Sequence, residues 1–240
     1  MAAPILCSGP CRGGSRLSNQ PHRVAESVPE RFWTPIRHCT YRERVNSLMP
    51  IPTSYGEIRP WRSHDADALV KYANNRKVWL NLRDAFPHPY TAASAEAFLA
   101  MVERQSPTTF YAIATREEAI GSIGISLNRD VHRLTAEMGY WLAEPYWGRG
   151  IMTETVVRFT DYAFERFQLV RIYAEPYANN SASCRVLEKA GYVLEGRLRS
   201  SAIKDGRILD QFLYAQVRGL GEGVHRLENK KEDSAPALTP

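Results

Sequence analysis

The chain has 240 residues, 44% of them hydrophobic and 24% charged, the composition of a globular domain, and it holds no apolar run long enough to span a membrane. The net charge of +5 is not gathered into a basic stripe: seven arginines fall in the first 44 residues and the rest is close to neutral, so nucleic-acid binding is not expected. Cys7, Cys11, Cys39 and Cys184 form neither a metal-ligand pattern nor a disulfide framework, so a reduced, intracellular protein without a metal is expected.

Residues 1–48 are rich in Gly, Ser, Pro and Arg and show no helix or strand period. No acid precedes Glu26, while Arg12, Arg16 and Arg23 do. A transit segment has that composition, although prolines and glycines interrupt an amphipathic helix. A disordered tail, or translation upstream of a start at Met49, accounts for the same residues. The cytoplasm is therefore the expected compartment, with the mitochondrion as the alternative. Residues 49–218 are expected to form one domain, and 219–240 a polar tail.

Within the domain the first strand is expected over 55–61, "YGEIRPW". A helix follows over 63–82, its apolar face carried by Ala68, Leu69, Tyr72, Val78, Trp79 and Leu82, with a break near Asn74–Asn75. "FPHPYT" (86–91) is a proline-broken loop, and 94–105 is a second helix capped by Thr91 or Ser94. Three strands, 109–115, 119–128 and 135–143, form an antiparallel run. A helix over 150–167 shows Val156, Val157, Thr160, Ala163, Phe164 and Phe167 on one side. A buried strand over 169–177 and a helix over 180–191, stopped at Gly191, come next. Two strands flanking Asp205-Gly206 close the domain as a hairpin. This order is one α/β (α+β) domain: a mixed, mostly antiparallel sheet of about seven strands flanked by about four helices.

Between the third of that strand run and the helix at 150 lies "PYWGRGIMTE" (145–154). Gly148 and Gly150 cost backbone entropy where a helix must nucleate, so a ligand is expected to approach that backbone closely. The first-turn N–H groups of a helix point outward and its dipole favours anions, which suggests a phosphate or pyrophosphate. Ile151-Met152 follows Gly150 where a P-loop would carry Lys-Ser/Thr, and the third glycine of a dinucleotide fingerprint is missing. A tight strand–helix connection with no ligand is the other reading.

"EMGYWLAEPYWGRGIMTE" followed by "NNSASCRVLEKAGYVLEG" resembles the GNAT N-acetyltransferase superfamily, in particular its ribosomal-protein N-acetyltransferase branch. The resemblance covers roughly residues 55–218 and includes "EIRPW", "FPHPYT", Asn180, Ser183, Leu187, Glu188, Lys189, Gly191, Tyr192 and the hairpin at Asp205–Tyr214. The Gln/Arg-x-x-Gly-x-Gly/Ala pattern falls on Trp147 to Met152, so its first position is Trp and its last Met. Many members carry a tyrosine in the last helix that protonates the leaving thiolate; here that position is Leu187.

The resemblance implies a sheet splayed between its fourth and fifth strands, with acetyl-CoA in the splay as co-substrate. Tyr140, Trp141 and Leu142 would meet the pantetheine from the strand and Asn180 from the other side. Gly148, Arg149, Gly150, Ile151, Met152 and Thr153 would hold the pyrophosphate. The implied reaction is acetyl transfer to a primary amine by direct attack, with a protein N-terminal amine as the favoured acceptor. The alternatives are a small-molecule amine, or acetyl-CoA binding without turnover. Glu137, on the fourth strand, is the candidate base, and a strand glutamate paired to a cation is its other reading. Ser183 is the candidate donor to the thiolate, with an ordinary first-turn residue behind the Asn180 cap as the other. Cys184 is expected to be small core, not a nucleophile. Arg83, Asp84 and Tyr140 are the candidate acceptor contacts, and His88 a further loop residue near that pocket. A monomer or homodimer, with no nucleic-acid or membrane partner, completes the expectation.

Overall fold

The computed structural model describes residues 49–219. The expectations for 1–48 and for the tail beyond Gly219 lie outside the described residues. Eight strands form one sheet in the order β1-β2-β3-β4-β5-β6-β8-β7. They are β1 (Ile51–Thr53), β2 (Gly56–Pro60), β3 (Phe110–Ala114), β4 (Ala119–Leu127), β5 (Thr135–Leu142), β6 (Arg171–Ala174), β7 (Val193–Lys204) and β8 (Arg207–Val217). Only the β5–β6 pair is parallel. The eighth strand is β1, which the sequence hides: Pro52 cannot donate to a ladder, and a three-residue edge strand shows no alternation.

Helices α1 (Ala66–Ala73), α2 (Arg76–Trp79) and α3 (Ala92–Glu103) precede β3, α4 (Ile151–Phe167) joins β5 to β6, and α5 (Ser181–Lys189) joins β6 to β7. The break at Asn74–Asn75 is real. Asn75 is extended and its side chain accepts from Lys77 N, capping the one-turn α2. Thr91, not Ser94, caps α3, and Ser94 reciprocates as the third helical residue. Arg59 reaches from β2 to Asp65 in two bonds of 2.7 and 2.8 Å, both side chains buried, which fixes the entry to α1.

Alternation along the central strands sorts the two faces. Ile123, Ile125, Ala136 and Met138 face α4 and α5 in the main core, with Val156, Phe159, Ala163 and Leu187. Ser122 opposes Trp141, Gly124 opposes Gly139, and Ser126 opposes Glu137 on the other face, towards α1 and α3. On α4 the buried row is Thr155, Val156, Phe159, Thr160 and Ala163, a strict i, i+4, i+8 stripe with its i+1 neighbours. Val157, assigned to that row from sequence, is 40% exposed, one residue out of phase, and Phe159 takes its place. Asp205 and Gly206 both have positive φ, as a two-residue primed turn requires.

Candidate active site

Strand β6 accompanies β5 only from Thr135 to Glu137. Beyond Glu137 the two strands part, so the backbone from Met138 to Leu142 keeps its β4 partner on one side and faces a cleft of about 1270 Å3 on the other. Parallel strands that diverge leave peptide N–H and C=O groups without a ladder, and a ligand with an extended amide chain can complete it. The cleft is lined by every site residue proposed from sequence except Asp84.

At one end of the cleft stands the glycine turn. Gly148 and Gly150 have φ of 75° and 79°, and Gly150 is the N-cap of α4. A Cβ on either would meet nothing within 4 Å, so crowding inside the protein is not what excludes a side chain here. The left-handed backbone requires glycine, and the space over it opens to the cleft. The first internal bond of α4 runs from Glu154 N to Gly150 O, at 3.1 Å, so the N–H groups of Ile151, Met152 and Thr153 precede it. Ile151 and Met152 bury their side chains, which turns the helix's first-turn amides, not its side chains, to the ligand. The arrangement fits a pyrophosphate.

The turn is held from outside by residues that sequence reasoning missed. Tyr55 donates its hydroxyl to Arg149 O at 2.8 Å. Ser54, in the β1–β2 turn, donates its N–H to both carboxylate oxygens of Glu154, at 3.0 and 3.1 Å, and its hydroxyl to one of them. Against the desolvation of its site, the bonds from Ser54 and Arg158 hold the Glu154 carboxyl below the usual range. An acid in the first turn of an anion-binding helix is thus turned aside and bonded. Trp147 Nε1 donates to Leu142 O at 2.7 Å and ties the turn back to the strand end.

At the other end two carboxylates share one cation. Glu137 is ion-paired to Arg83, whose guanidinium also lies 3.8 Å from Glu175. Arg83 is 65% exposed, whereas Glu137 and Glu175 are 21% and 24% exposed. Burial, and then the charge of Glu137, push the Glu175 carboxyl above the usual carboxylate range, with Arg83 opposing both. Glu175 follows the last residue of β6, where the strands have separated. It was legible as the one acid in an otherwise apolar run, "RIYAEPY", yet the sequence analysis passed it over.

Asp84 and Tyr140 are corrections to the acceptor set. Asp84 turns away from the cleft to Lys204 Nζ at 2.7 Å, and that lysine side chain, 1% exposed, also lies 3.6 Å from the centre of the Trp79 ring. Arg83 and Asp84 enter a turn closed by the Phe86 N–H on Arg83 O at 2.9 Å, and of the two only Arg83 lines the cleft. Tyr140 lies on the α4–α5 face of β5, opposite in parity to Glu137, and its hydroxyl is 2.9 Å from Ser183 Oγ. Burial raises the Tyr140 hydroxyl, against the Ser183 bond. Asn180 caps α5 by accepting from Ser183 N at 3.1 Å. Leu187 is fully buried, Cys184 and Tyr192 are core, and His88 stacks on Trp79 with ring centres 5.5 Å apart and does not line the cleft.

Among the described residues no three metal-ligating side chains gather in one place, and no helix is long and apolar enough to cross a membrane. Residues 57–193 match the acetyltransferase (GNAT) domain, and the chain belongs to that family. It is an acyl-CoA-dependent N-acetyltransferase. It is 28% identical to p20 of Bacillus licheniformis, an uncharacterized N-acetyltransferase, over 67% of this chain and 92% of that one. The ribosomal-protein-serine acetyltransferase of Escherichia coli is 26% identical over 49% of this chain and 65% of its own length. Mycobacterium smegmatis RimJ, solved with CoA-disulfide, shares the fold with a TM-score of 0.62 at 24% identity, covering 70% of this chain and 85% of that one.

Proposed function

We propose that the protein transfers acetyl from acetyl-CoA to a primary amine by direct attack, without a covalent acetyl-enzyme. The observation that carries this reading is a single cleft with an anion turn at one end, a free strand edge along its length and a carboxylate pair at the other. In this reading the N–H groups of Ile151 to Thr153 bind the pyrophosphate and the Met138–Leu142 backbone the pantetheine. A strand N–H there polarises the thioester carbonyl.

An acceptor reaches neutral pH as an ammonium and cannot attack until it loses a proton. The Glu137–Glu175 pair takes that proton, with Glu175, whose proton affinity burial and the Glu137 charge raise, as the base. The amine nitrogen then bonds to the thioester carbon, its second proton leaves through the same pair to solvent, and the carbon–sulfur bond breaks. The departing thiolate accepts a hydrogen bond from the Ser183 hydroxyl, oriented by the Tyr140 hydroxyl 2.9 Å away, and takes its proton from solvent in the open cleft. With Leu187 in the core, this hydroxyl pair stands in for the tyrosine many relatives use. Cys184 has no part: burial first of all pushes its thiol up, and it does not line the cleft.

The named E. coli relative favours a protein N-terminal amine as acceptor; a free amine is the second reading, favoured by the apolar lining described below. The test is acetyl transfer to a pooled set of peptides and free amines, with products identified by mass. Glu175→Gln is expected to lower kcat/KM by about 10²- to 10⁴-fold with acetyl-CoA affinity unchanged. Full turnover by that variant would remove the base assignment.

A further inference from the structure

Beyond Glu137 the cleft continues as a trough between the sheet and α3. Its floor is set by register: Phe110, Gly124 and Gly139 lie side by side across β3, β4 and β5. A Cβ on Gly124 would stand 2.4 Å from Phe110 Cδ1, so the Phe110 ring lies across Gly124 and bounds the floor, whereas a Cβ on Gly139 would meet nothing within 4 Å. The roof is one face of α3, where Ala93, Ala97 and Met101 recur every four residues, all exposed and all lining the cleft. The acids of that helix, Glu96 and Glu103, do not line it.

Two of the polar side chains of the trough are engaged within the protein, while Ser126 and the Trp141 indole N–H are open. Ser122 Oγ donates to Tyr111 O at 3.2 Å, and Ser94 Oγ is 3.0 Å from Thr91 Oγ1 within the helix cap. Charge is confined to the end where Glu137 and Glu175 meet Arg83. The other basic lining residues stand elsewhere: Arg149 in the anion turn, Arg185 and Lys189 on α5 behind the sheet, and Lys77 bound by Glu144.

Resting on the acetyl-transfer reading above, we propose that the acceptor is a primary amine with an apolar body, its nitrogen at the carboxylate pair and its alkyl or aryl portion in the trough against Gly139, Ala97 and Met101. Each methylene buried there strengthens binding about fourfold. A peptide laid in the trough would bury more backbone amides than the two open side chains, Ser126 and Trp141, can meet, and a diamine would carry a second ammonium out of water with no carboxylate partner at the apolar end. The geometry therefore selects against both.

The test uses the full chain and a matched pair of probes, hexylamine and 1,6-diaminohexane, with a peptide bearing a polar N-terminal sequence as the third. CoA thiol release gives kcat/KM, and calorimetry in the presence of CoA gives amine binding. Hexylamine is expected to exceed the diamine in kcat/KM by about tenfold or more. Ala97→Glu, at an exposed helical position, places a carboxylate in the roof and is expected to narrow or invert that ratio. Equal or better turnover of the diamine or the peptide would overturn the proposal and leave acetyl transfer standing. Absence of turnover with all three, but preferential binding of hexylamine, would overturn the reaction and keep the ligand chemistry. No turnover and no binding preference would overturn both.

Discussion

The two ends of the cleft are built from different materials. The end proposed for the pyrophosphate is backbone: two left-handed glycines and three helical N–H groups, with Ile151 and Met152 buried behind them. The acceptor end is side chain: Arg83 from the loop after α2, Glu137 from β5 and Glu175 from the end of β6, with Lys204 on the last hairpin holding Asp84 outside it. A site made of backbone is fixed by conformation, which a short run of sequence specifies. A site made of side chains is fixed by whatever folds those stretches together, so its chemistry can change while the fold stays.

If this contrast is right, the largest effect of a single change on acetyl-CoA affinity falls at the backbone end. Gly150→Val forces a β-branched residue to φ near 79° and fills the space over the amides. Losing even two charge-assisted bonds at about 1.5–3 kcal/mol each predicts an acetyl-CoA affinity reduced by roughly a hundredfold or more. Titration calorimetry checks this, with circular dichroism to show that the domain still folds. Wild-type affinity in the variant would move the pyrophosphate elsewhere.

A smaller and asymmetric effect is expected at the outward-facing pair. Asp84 is 72% exposed and Lys204 only 1%, so Asp84→Ala leaves a buried ammonium with the Trp79 ring alone, at a cost of about 3 kcal/mol. Lys204→Met removes that charge, keeps apolar volume against Trp79 and leaves Asp84 in water, and is expected to cost less. Thermal denaturation of the two variants compares them; equal losses would mean that the pair, not the buried charge, sets the cost.

The subtlest effect is a displacement in pH. Arg83 lowers the Glu175 proton affinity and Glu137 raises it. Arg83→Met should therefore move the acidic limb of kcat/KM to higher pH, and Glu137→Gln to lower pH. The base acts deprotonated, so activity is lost as pH falls through this limb. Shifts of the same sign in both variants would contradict a coupled pair.

The same contrast explains what the sequence disclosed. Gly148, Gly150 and the Asp205-Gly206 turn were singled out as special backbone positions, and all adopt positive φ. The break at Asn74–Asn75 was legible because an asparagine can cap the helix that follows it. Glu137 was found because alternation along β5 fixes its face, but Arg83 and Glu175 meet it only through the packing of α2 and the parting of β6, which no local pattern encodes. Asp84 was misplaced for the same reason, whereas the face of Tyr140 could have been read from the strand pattern. Chain proximity put Asp84 beside Arg83, and only the folded hairpin draws it outward; sheet parity, available from the sequence, already set Tyr140 on the face opposite Glu137.

Strand β1, the element hidden from sequence, has a consequence for timing. The β1–β2 turn places Ser54 on Glu154 and Tyr55 on the Arg149 carbonyl, so a short edge hairpin clasps the glycine turn from the side away from its ligand. A loop with two glycines would otherwise sample many shapes, and each capture of a pyrophosphate would have to freeze it. With the clasp in place that ordering is completed during folding. On the binding mode proposed above, a pyrophosphate therefore meets a turn whose shape is already set by an edge strand of three residues.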